Sequence, residues 1–127
     1  NIQMTCVADG KALDFVNPMD ICSIFGNALD NAITSAEKVE NPERRLIHVT
    51  VSQEKSFLRI KIENSFQGVL KMKNQLPITT KEDRRYHGFG LKSMKEIAEK
   101  YKGSMTVSAK DGWFELRILI PLPESEK

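Results

Sequence analysis

The sequence has 127 residues, of which 40% are hydrophobic and 28% are charged. This composition is typical of a soluble globular domain and argues against a disordered chain or a collagen-like repeat. No apolar stretch approaches the roughly 20 residues that a transmembrane helix needs. The length suits a single domain, which we place at residues 1–123, with a frayed tail at 124–127. Two cysteines, Cys6 and Cys22, are too few for a disulfide framework and lack metal-ligand spacing, so we expect a reducing, cytoplasmic compartment. We expect both thiols to be buried as small hydrophobic side chains.

The net charge of +2 is unevenly distributed along the chain. Residues 71–102 hold nine Lys and Arg against four Asp and Glu, an excess of +5. Such an excess indicates either a solvated face or a surface that binds an anion. We expect no nucleic acid, because no aromatic stacking platform accompanies the basic residues, whereas a small polyphosphate would suit the excess.

Two short strands are predicted at the start of the chain. Apolar runs at residues 2–7 and 12–16 flank Asp9-Gly10, a dipeptide that strongly favours a hairpin turn. We therefore expect these two strands to pair with each other.

A long amphipathic helix is predicted next. Asn17 suits the N-cap, Pro18 suits the first helical position, and Asp20 adds an acid to the first turn, where the helix dipole favours negative charge. The expected buried stripe, at three- and four-residue steps, comprises Ile21, Ile24, Phe25, Ala28, Leu29, Ala32, Ile33 and Ala36. Asn41-Pro42 is expected to end the helix.

A hairpin and a long loop follow this helix. Alternating apolar residues at 47–51 and 58–62 predict an antiparallel pair with one buried face. Residues 64–85 lose the periodicity and are predicted to form a long loop, which in a compact domain is usually functional.

A second helix and a last hairpin complete the chain. The helix is predicted at about 91–102, with Gly103 as its C-terminal stop. Its inward-facing residues are expected to be Met94, Ile97, Ala98 and Tyr101. Alternating apolar residues at 105–120 predict a hairpin that turns at Asp111-Gly112.

The predicted order is therefore β-β-α-β-β-loop-α-β-β. It lacks the regular strand-helix alternation of a doubly wound parallel sheet. We predict an α+β fold: a two-layer α/β sandwich whose sheet is mixed but mostly antiparallel, with both helices on one face.

Two asparagines on the first helix, Asn27 and Asn31, are candidates for chemistry. They lie four residues apart in N-A-L-D-N, about 40° apart around the axis, at the rim of the buried stripe. A carboxamide oxygen is a hard neutral ligand for Mg²⁺, which takes much of its coordination from phosphates and water. The motif alone leaves open two solvated asparagines or a magnesium-phosphate site.

A glycine-rich segment, Y-H-G-F-G-L at residues 86–91, opens the second helix. Glycines at this position let the backbone approach a phosphate, whose charge the N–H groups and dipole of the helix N-terminus then stabilise. The strand required by a dinucleotide fingerprint and the Walker lysine-serine pair are both absent. By itself the segment leaves open a simple turn or a phosphate cradle.

Taken together, these motifs resemble the GHKL family of ATP-binding domains. The asparagine helix, a hairpin, a long loop with T-T-K and then H-G-F-G-L at a helix start look like the catalytic ATP-binding domain of a sensor histidine kinase. The segments D-I-C-S-I-F-G-N-A-L-D-N-A-I and T-T-K-x-x-x-x-x-H-G-F-G-L are similar to the subfamily that includes peptide quorum-sensing kinases of Gram-positive bacteria.

The resemblance implies roles for the matching residues. Asn31 corresponds to the asparagine that binds Mg²⁺, and Asn27 lies one turn before it; both are the implied catalytic residues. The implied ATP-binding residues of the second motif are His87, Gly88, Phe89, Gly90 and Leu91. The loop at 67–87 would be an ATP lid, with Lys81, Arg84 and Arg85 as phosphate contacts.

The adenine-reading motif differs from the family pattern. Where the family has D-x-G-x-G, this chain has N-S-F-Q-G: Asn64 replaces the aspartate, Phe66 replaces the first glycine, and Gly68 is kept. An amide oxygen can still accept from the adenine amino group, but without the assistance of a full charge.

The resemblance implies a Mg-ATP-dependent histidine kinase fragment. Its partners would be a phosphoacceptor helical domain of the same kinase and, indirectly, a response regulator, in the cytoplasmic part of an integral membrane kinase, with no membrane contact by the domain itself. Hydrolysis is disfavoured, because related hydrolases carry Glu where this chain has Asn27, and an amide is not a general base. No autophosphorylation is expected, since neither His48 nor His87 resembles a phosphoacceptor.

Two alternatives remain open. The altered N-S-F-Q-G motif is compatible with a regulatory module that uses the same fold for protein contact and binds nucleotide weakly. A stand-alone serine kinase of the same family would also fit a domain of this size.

Overall fold

The computed structural model describes residues 2–67, 72–73, 76–77 and 89–123. The helices are α1 (Pro18–Glu37) and α2 (Phe89–Lys100). The strands are β1 (Gln3–Ala8), β2 (Leu46–Glu54), β3 (Phe57–Ser65), β4 (Met72–Lys73), β5 (Leu76–Pro77), β6 (Ser104–Lys110) and β7 (Trp113–Pro121). Short 3-10 turns occupy Gly10–Leu13 and Pro42–Arg44. Among the described helices, none is long and apolar enough to cross a bilayer.

Five strands form one mixed sheet in the order β1-β2-β3-β7-β6. Only the β1–β2 pair is parallel; the other neighbours are antiparallel. Strand β3 extends through Asn64 and Ser65, and strands β4 and β5 pair with each other, all within the predicted loop at 64–85. The loop prediction is therefore wrong for these six residues. The predicted α+β class and the mixed, mostly antiparallel sheet are confirmed.

The core lies between the sheet and the two helices. Alternation along β2, β3 and β7 directs every second side chain toward the helices, where these residues are at most 5% exposed: Ile47, Val49, Val51, Leu58, Ile60, Ile62, Phe114, Leu116, Ile118 and Ile120. They form one cluster with buried residues of both helices, so both helices cover the same face.

Helix α1 begins as predicted but is buried on a narrower stripe. The Asn17 side chain accepts a hydrogen bond from the Met19 N–H at 2.8 Å, and Pro18 is the first helical residue. The fully buried positions are Ile24, Ala28, Ala32 and Ala36. Ile33, which we predicted to be inward, is 41% exposed, and the helix ends at Glu37, before the predicted stop.

The predicted first hairpin is wrong. Asp9 does not turn the chain back on β1; its side chain accepts from the Lys11 N–H at 3.2 Å and begins the 3-10 turn at Gly10–Leu13. Strand β1 pairs in parallel with β2, with Gln3 opposite Leu46. Local turn signals favour a hairpin but do not include this distant partner strand.

The expectation of buried cysteines is also wrong, because both thiols are exposed. Cys6 belongs to β1, whose side chains are all exposed; Val7, for example, is 71% exposed. Cys22 lies on the solvent side of α1. Because β1 is an edge strand whose side chains are all exposed, Cys6 has no hydrophobic core to pack against.

Helix α2 ends two residues earlier than predicted, in a Schellman motif. Lys102, not Gly103, has the left-handed backbone (φ 65°). The Lys102 N–H donates to the Glu99 carbonyl at 2.9 Å and the Gly103 N–H donates to the Ala98 carbonyl at 2.8 Å. Gly103 is needed for a different reason: a Cβ there would overlap the carbonyl oxygen of Leu119 on β7.

Candidate functional site

The asparagine helix and the second glycine motif meet between α1 and α2. Asn27 is half-buried, and its Nδ2 donates to the Ser23 carbonyl oxygen at 2.8 Å. The amide oxygen is then directed at Gly90: a Cβ added to Gly90 would lie 2.9 Å from Asn27 Oδ1, closer than side chains tolerate. Gly90 therefore allows two motifs that are 63 residues apart in sequence (90 − 27) to approach each other.

Asn31 lies one turn further along α1 and is also half-buried. Its side chain makes no hydrogen bond to any of the described residues, so its oxygen is available as a ligand. Within the described ranges there is no group of three or more His, Cys, Asp or Glu that could hold a metal ion. The carboxamide oxygen of Asn31 is a hard neutral ligand of the kind that suits Mg²⁺, which takes much of its coordination from phosphates and water.

Asn64 lies near the end of β3 and faces the helical layer. It continues the buried series of Leu58, Ile60 and Ile62 and is itself only 1% exposed. Its Nδ2 donates to the Ser65 carbonyl oxygen at 2.8 Å, while its Oδ1 is buried and has no hydrogen-bond partner among the residues that the structure describes. Leaving a buried acceptor unpaired costs about 1–3 kcal/mol, so this atom is suited to accept from a bound donor.

Of the remaining predicted site residues, three at the start of α2 are described by the structure and the others are not. Leu91 is 3% exposed and belongs to the core, whereas Gly90 is half-buried. Phe89 is the first residue of α2 in its backbone. Outside the described residues lie Gly68, Lys81, Arg84, Arg85, His87 and Gly88, together with most of the predicted lid at 67–87 and the tail at 124–127.

Sequence reasoning did not find a polar cluster that joins the first turn of α1 to the end of α2. The Tyr101 hydroxyl donates to Asp20 Oδ2 at 2.6 Å and accepts from the Asn17 N–H at 2.9 Å. Lys100 Nζ lies 2.6 Å from the same Asp20 oxygen. The only sequence signals were the acid at the start of α1 and the base at the end of α2, both of which also suit the helix dipoles.

The cluster shifts the titration of both charged groups. Hydrogen bonds from Lys100 and then Tyr101 hold the pKa of Asp20 below its ordinary value. The hydrogen bond to Asp20 raises the pKa of Lys100 above its ordinary value. Both shifts favour the charged forms, so the ion pair is present across the neutral pH range.

Comparison with known proteins identifies the family. The sequence profile of the GHKL domain matches residues 16–121. Among solved structures, a nucleotide-free catalytic domain of histidine kinase ThkA is 22% identical with a TM-score of 0.72, covering 96% of this chain and 82% of that one. A search of curated proteins gives no match.

Two further structures share the fold over about half of their own length. Histidine kinase AdeS from Acinetobacter baumannii is 18% identical with a TM-score of 0.58, covering 98% of this chain and 54% of that one. The histidine kinase domain of the blue-light activated kinase from Erythrobacter litoralis EL346 is 14% identical with a TM-score of 0.64, covering 95% and 52%. This chain therefore belongs to the GHKL domain family and has the fold of histidine kinase catalytic domains.

Proposed function

We propose that this chain binds ATP with Mg²⁺ and presents the γ-phosphate to a histidine on a separate helical domain, as the catalytic domain of a histidine kinase. The observation that carries the proposal is the direct approach of Gly90 to Asn27, which joins the two motifs expected to bind a metal-bound triphosphate. A response regulator would receive the phosphoryl group in turn. A cytoplasmic, membrane-anchored kinase of the Gram-positive peptide-sensing type is part of the proposal.

The base-binding end of the site would be Asn64. Because its Nδ2 donates to the Ser65 carbonyl, the amide is oriented with Oδ1 buried and unpaired within the described ranges of the chain. Such an acceptor can receive a hydrogen bond from the amino group of adenine. A purine that carries an oxo group at the same position offers no donor to Oδ1 and should bind more weakly. The replacement of Asp by Asn removes the charge but keeps the acceptor.

The phosphate end of the site would lie along Asn27 and Asn31. When bound, Mg²⁺ supplies charge neutralisation for the phosphates, and Asn31 would be its ligand from the protein. Asn27 would lie beside the backbone of Gly90, whose missing side chain leaves room for the Asn27 amide oxygen. The free N–H groups at the start of α2 would then bind a phosphate oxygen next to this pair. Lys81, Arg84, His87, Gly88 and the other lid residues would complete this end.

Transfer to another group is favoured over hydrolysis. The Asn27 amide cannot remove a proton from water, and phosphoryl transfer relies mainly on positioning and electrostatic stabilisation. His48 is an unsuitable acceptor: it lies on the sheet face opposite the helices, hydrogen-bonded to Thr5 Oγ1 at 3.0 Å. The accepting histidine is therefore expected on a partner domain.

One observation favours a second candidate, a regulatory module with weak nucleotide affinity. Phe66, which replaces a family glycine, is half-buried, and its ring centroid lies 6.1 Å from that of Phe114. A ring at this position occupies space that a glycine would leave open next to the base-binding end.

Calorimetric titration with ATP, with and without Mg²⁺, tests the proposal. Asn31→Ala should weaken binding only when Mg²⁺ is present, whereas Asn64→Ala should weaken it in both conditions, each by roughly tenfold. Gln53→Ala is the matched control, because Gln53 is exposed near the β2–β3 turn, where it lies opposite Leu58 at the other end of β3 from Asn64. No saturable binding up to about millimolar ATP, a standard free energy weaker than about −4 kcal/mol, would favour the regulatory module.

A further inference from the structure

Helices α1 and α2 run antiparallel and contact each other through two different kinds of contact. Near the predicted site, Gly90 at the start of α2 approaches Asn27 in the middle of α1. At the other end of the pair, Lys100 and Tyr101 bind Asp20 in the first turn of α1. Asn27 lies on α1 and Gly90 lies on α2, so each helix contributes one residue to the predicted phosphate end of the site.

The distant contact, which we call the polar clamp, consists of Asn17, Asp20, Lys100 and Tyr101. The Tyr101 hydroxyl uses its donor on Asp20 and its acceptor capacity on the Asn17 N–H, so it connects the N-cap and the first turn of α1. Its ring also packs edge-on against Phe15, with centroids 6.3 Å apart. The clamp therefore joins the end of α2 to α1 through several independent contacts.

The Asp20–Lys100 ion pair has one largely buried and one exposed partner. The Asp20 side chain is 15% exposed and that of Lys100 is 59% exposed. An ion pair with one exposed partner contributes little to stability by itself. The short hydrogen bond from the half-buried Tyr101 is the more directional contact and restricts how the helices can slide past each other.

From this geometry we infer that Asp20 and Tyr101, assisted by Lys100, are positioning residues that hold α1 and α2 in the register at which Asn27 and Gly90 form the triphosphate end of the site. The inference rests on the proposed function. Asn27 is seven positions after Asp20, about 10 Å along the helix axis, so a rigid helix transmits a displacement at one contact to the other. Asn64, on the sheet, lies outside this helix pair.

The binding test uses this separation between the two ends of the ligand. Tyr101→Phe removes only the hydroxyl and should weaken Mg-ATP binding by roughly threefold to tenfold, while leaving adenosine binding, followed by nuclear magnetic resonance, unchanged. Lys100→Gln should also weaken Mg-ATP binding, but by less. Lys100→Arg, which keeps the charge, should retain the affinity of the unaltered protein. A purely structural role would instead lower the melting temperature without separating the two ligands.

A distance measurement tests the clamp independently of nucleotide. Spin labels on the exposed Cys22 of α1 and on Glu96→Cys in α2, in a Cys6→Ser background, would report the separation of the two helices. We expect Tyr101→Phe to broaden the distance distribution in the absence of ATP. Glu115→Gln is the matched control, since it breaks an ion pair with Arg117 on the opposite face of the sheet, where N and O lie 3.3 Å apart.

The outcomes separate the two proposals. If the unaltered protein binds ATP but Tyr101→Phe leaves either the distance distribution or the Mg-ATP affinity unchanged, the clamp does not position the site and the inference is wrong. Equal weakening of adenosine and Mg-ATP binding would also reject it. If the unaltered protein does not bind ATP, the proposed function fails, and the role of the clamp in nucleotide binding fails with it.

Discussion

The two glycines at either end of α2 are constrained in different ways. At Gly103 an added Cβ would meet backbone, the Leu119 carbonyl oxygen and the Ile120 Cα, neither of which can move without moving β7. At Gly90 it would meet Asn27 Oδ1, the end of a side chain that can rotate away. The first glycine therefore maintains the fold, whereas the second maintains the space between two motifs, and substitutions should separate stability from binding.

Gly103→Ala should produce the largest effect on stability. The methyl group would overlap the backbone of β7 and force α2 away from the sheet, which we expect to lower the free energy of unfolding by about 2–3 kcal/mol. Urea denaturation followed by circular dichroism measures this change. A loss of less than about 0.5 kcal/mol, the range of ordinary surface substitutions, would contradict the packing argument.

Gly90→Ala should affect binding more than stability. The methyl group would displace the Asn27 side chain and break its hydrogen bond to the Ser23 carbonyl, although the better helix propensity of Ala offsets part of that loss, by about 0.5–1 kcal/mol. We expect roughly tenfold weaker Mg-ATP binding by calorimetry, with the melting temperature nearly unchanged. Unaltered affinity would show that the Asn27 side chain does not contribute to the site.

Gly26→Ala should have the smallest effect and the opposite sign. Gly26 is exposed in the middle of α1, and nothing lies within 4 Å of an added Cβ. Ala should therefore stabilise the helix by about 0.5–1 kcal/mol, raising the melting temperature and leaving ATP binding unchanged. Weaker binding in this variant would mean that the solvent face of α1 also contacts the ligand, and the contrast between the glycines would need revision.

The parts of the fold that were predicted correctly depend on short sequence separations. Alternation along β2, β3 and β7 specifies which face is buried, and Asp111-Gly112 forms the expected turn, with positive φ at both residues. Asn17-Pro18 begins α1 as predicted. Each of these signals lies within the element that it specifies.

The errors occur where a distant contact decides the structure. Asp9-Gly10 suits a hairpin locally, but the pairing of β1 with β2 replaces it. Tyr101 was expected only to pack inward, yet its hydroxyl binds Asp20, 81 residues earlier in the chain. The approach of Gly90 to Asn27 could be inferred only from the resemblance to a family, because neither motif specifies its partner.

The position of β1 has a consequence for local opening of the structure. This strand contacts the sheet through one parallel neighbour, and Thr5 lies 43 residues from its partner His48, whereas β2–β3 and β6–β7 are closed by tight turns. Distant pairing carries a larger loop-closure entropy than a hairpin, and β1 buries little side chain in return. The amide protons of β1 should therefore exchange with solvent when this single strand detaches from the sheet. Those of β3, at the centre of the sheet, should exchange only through global unfolding.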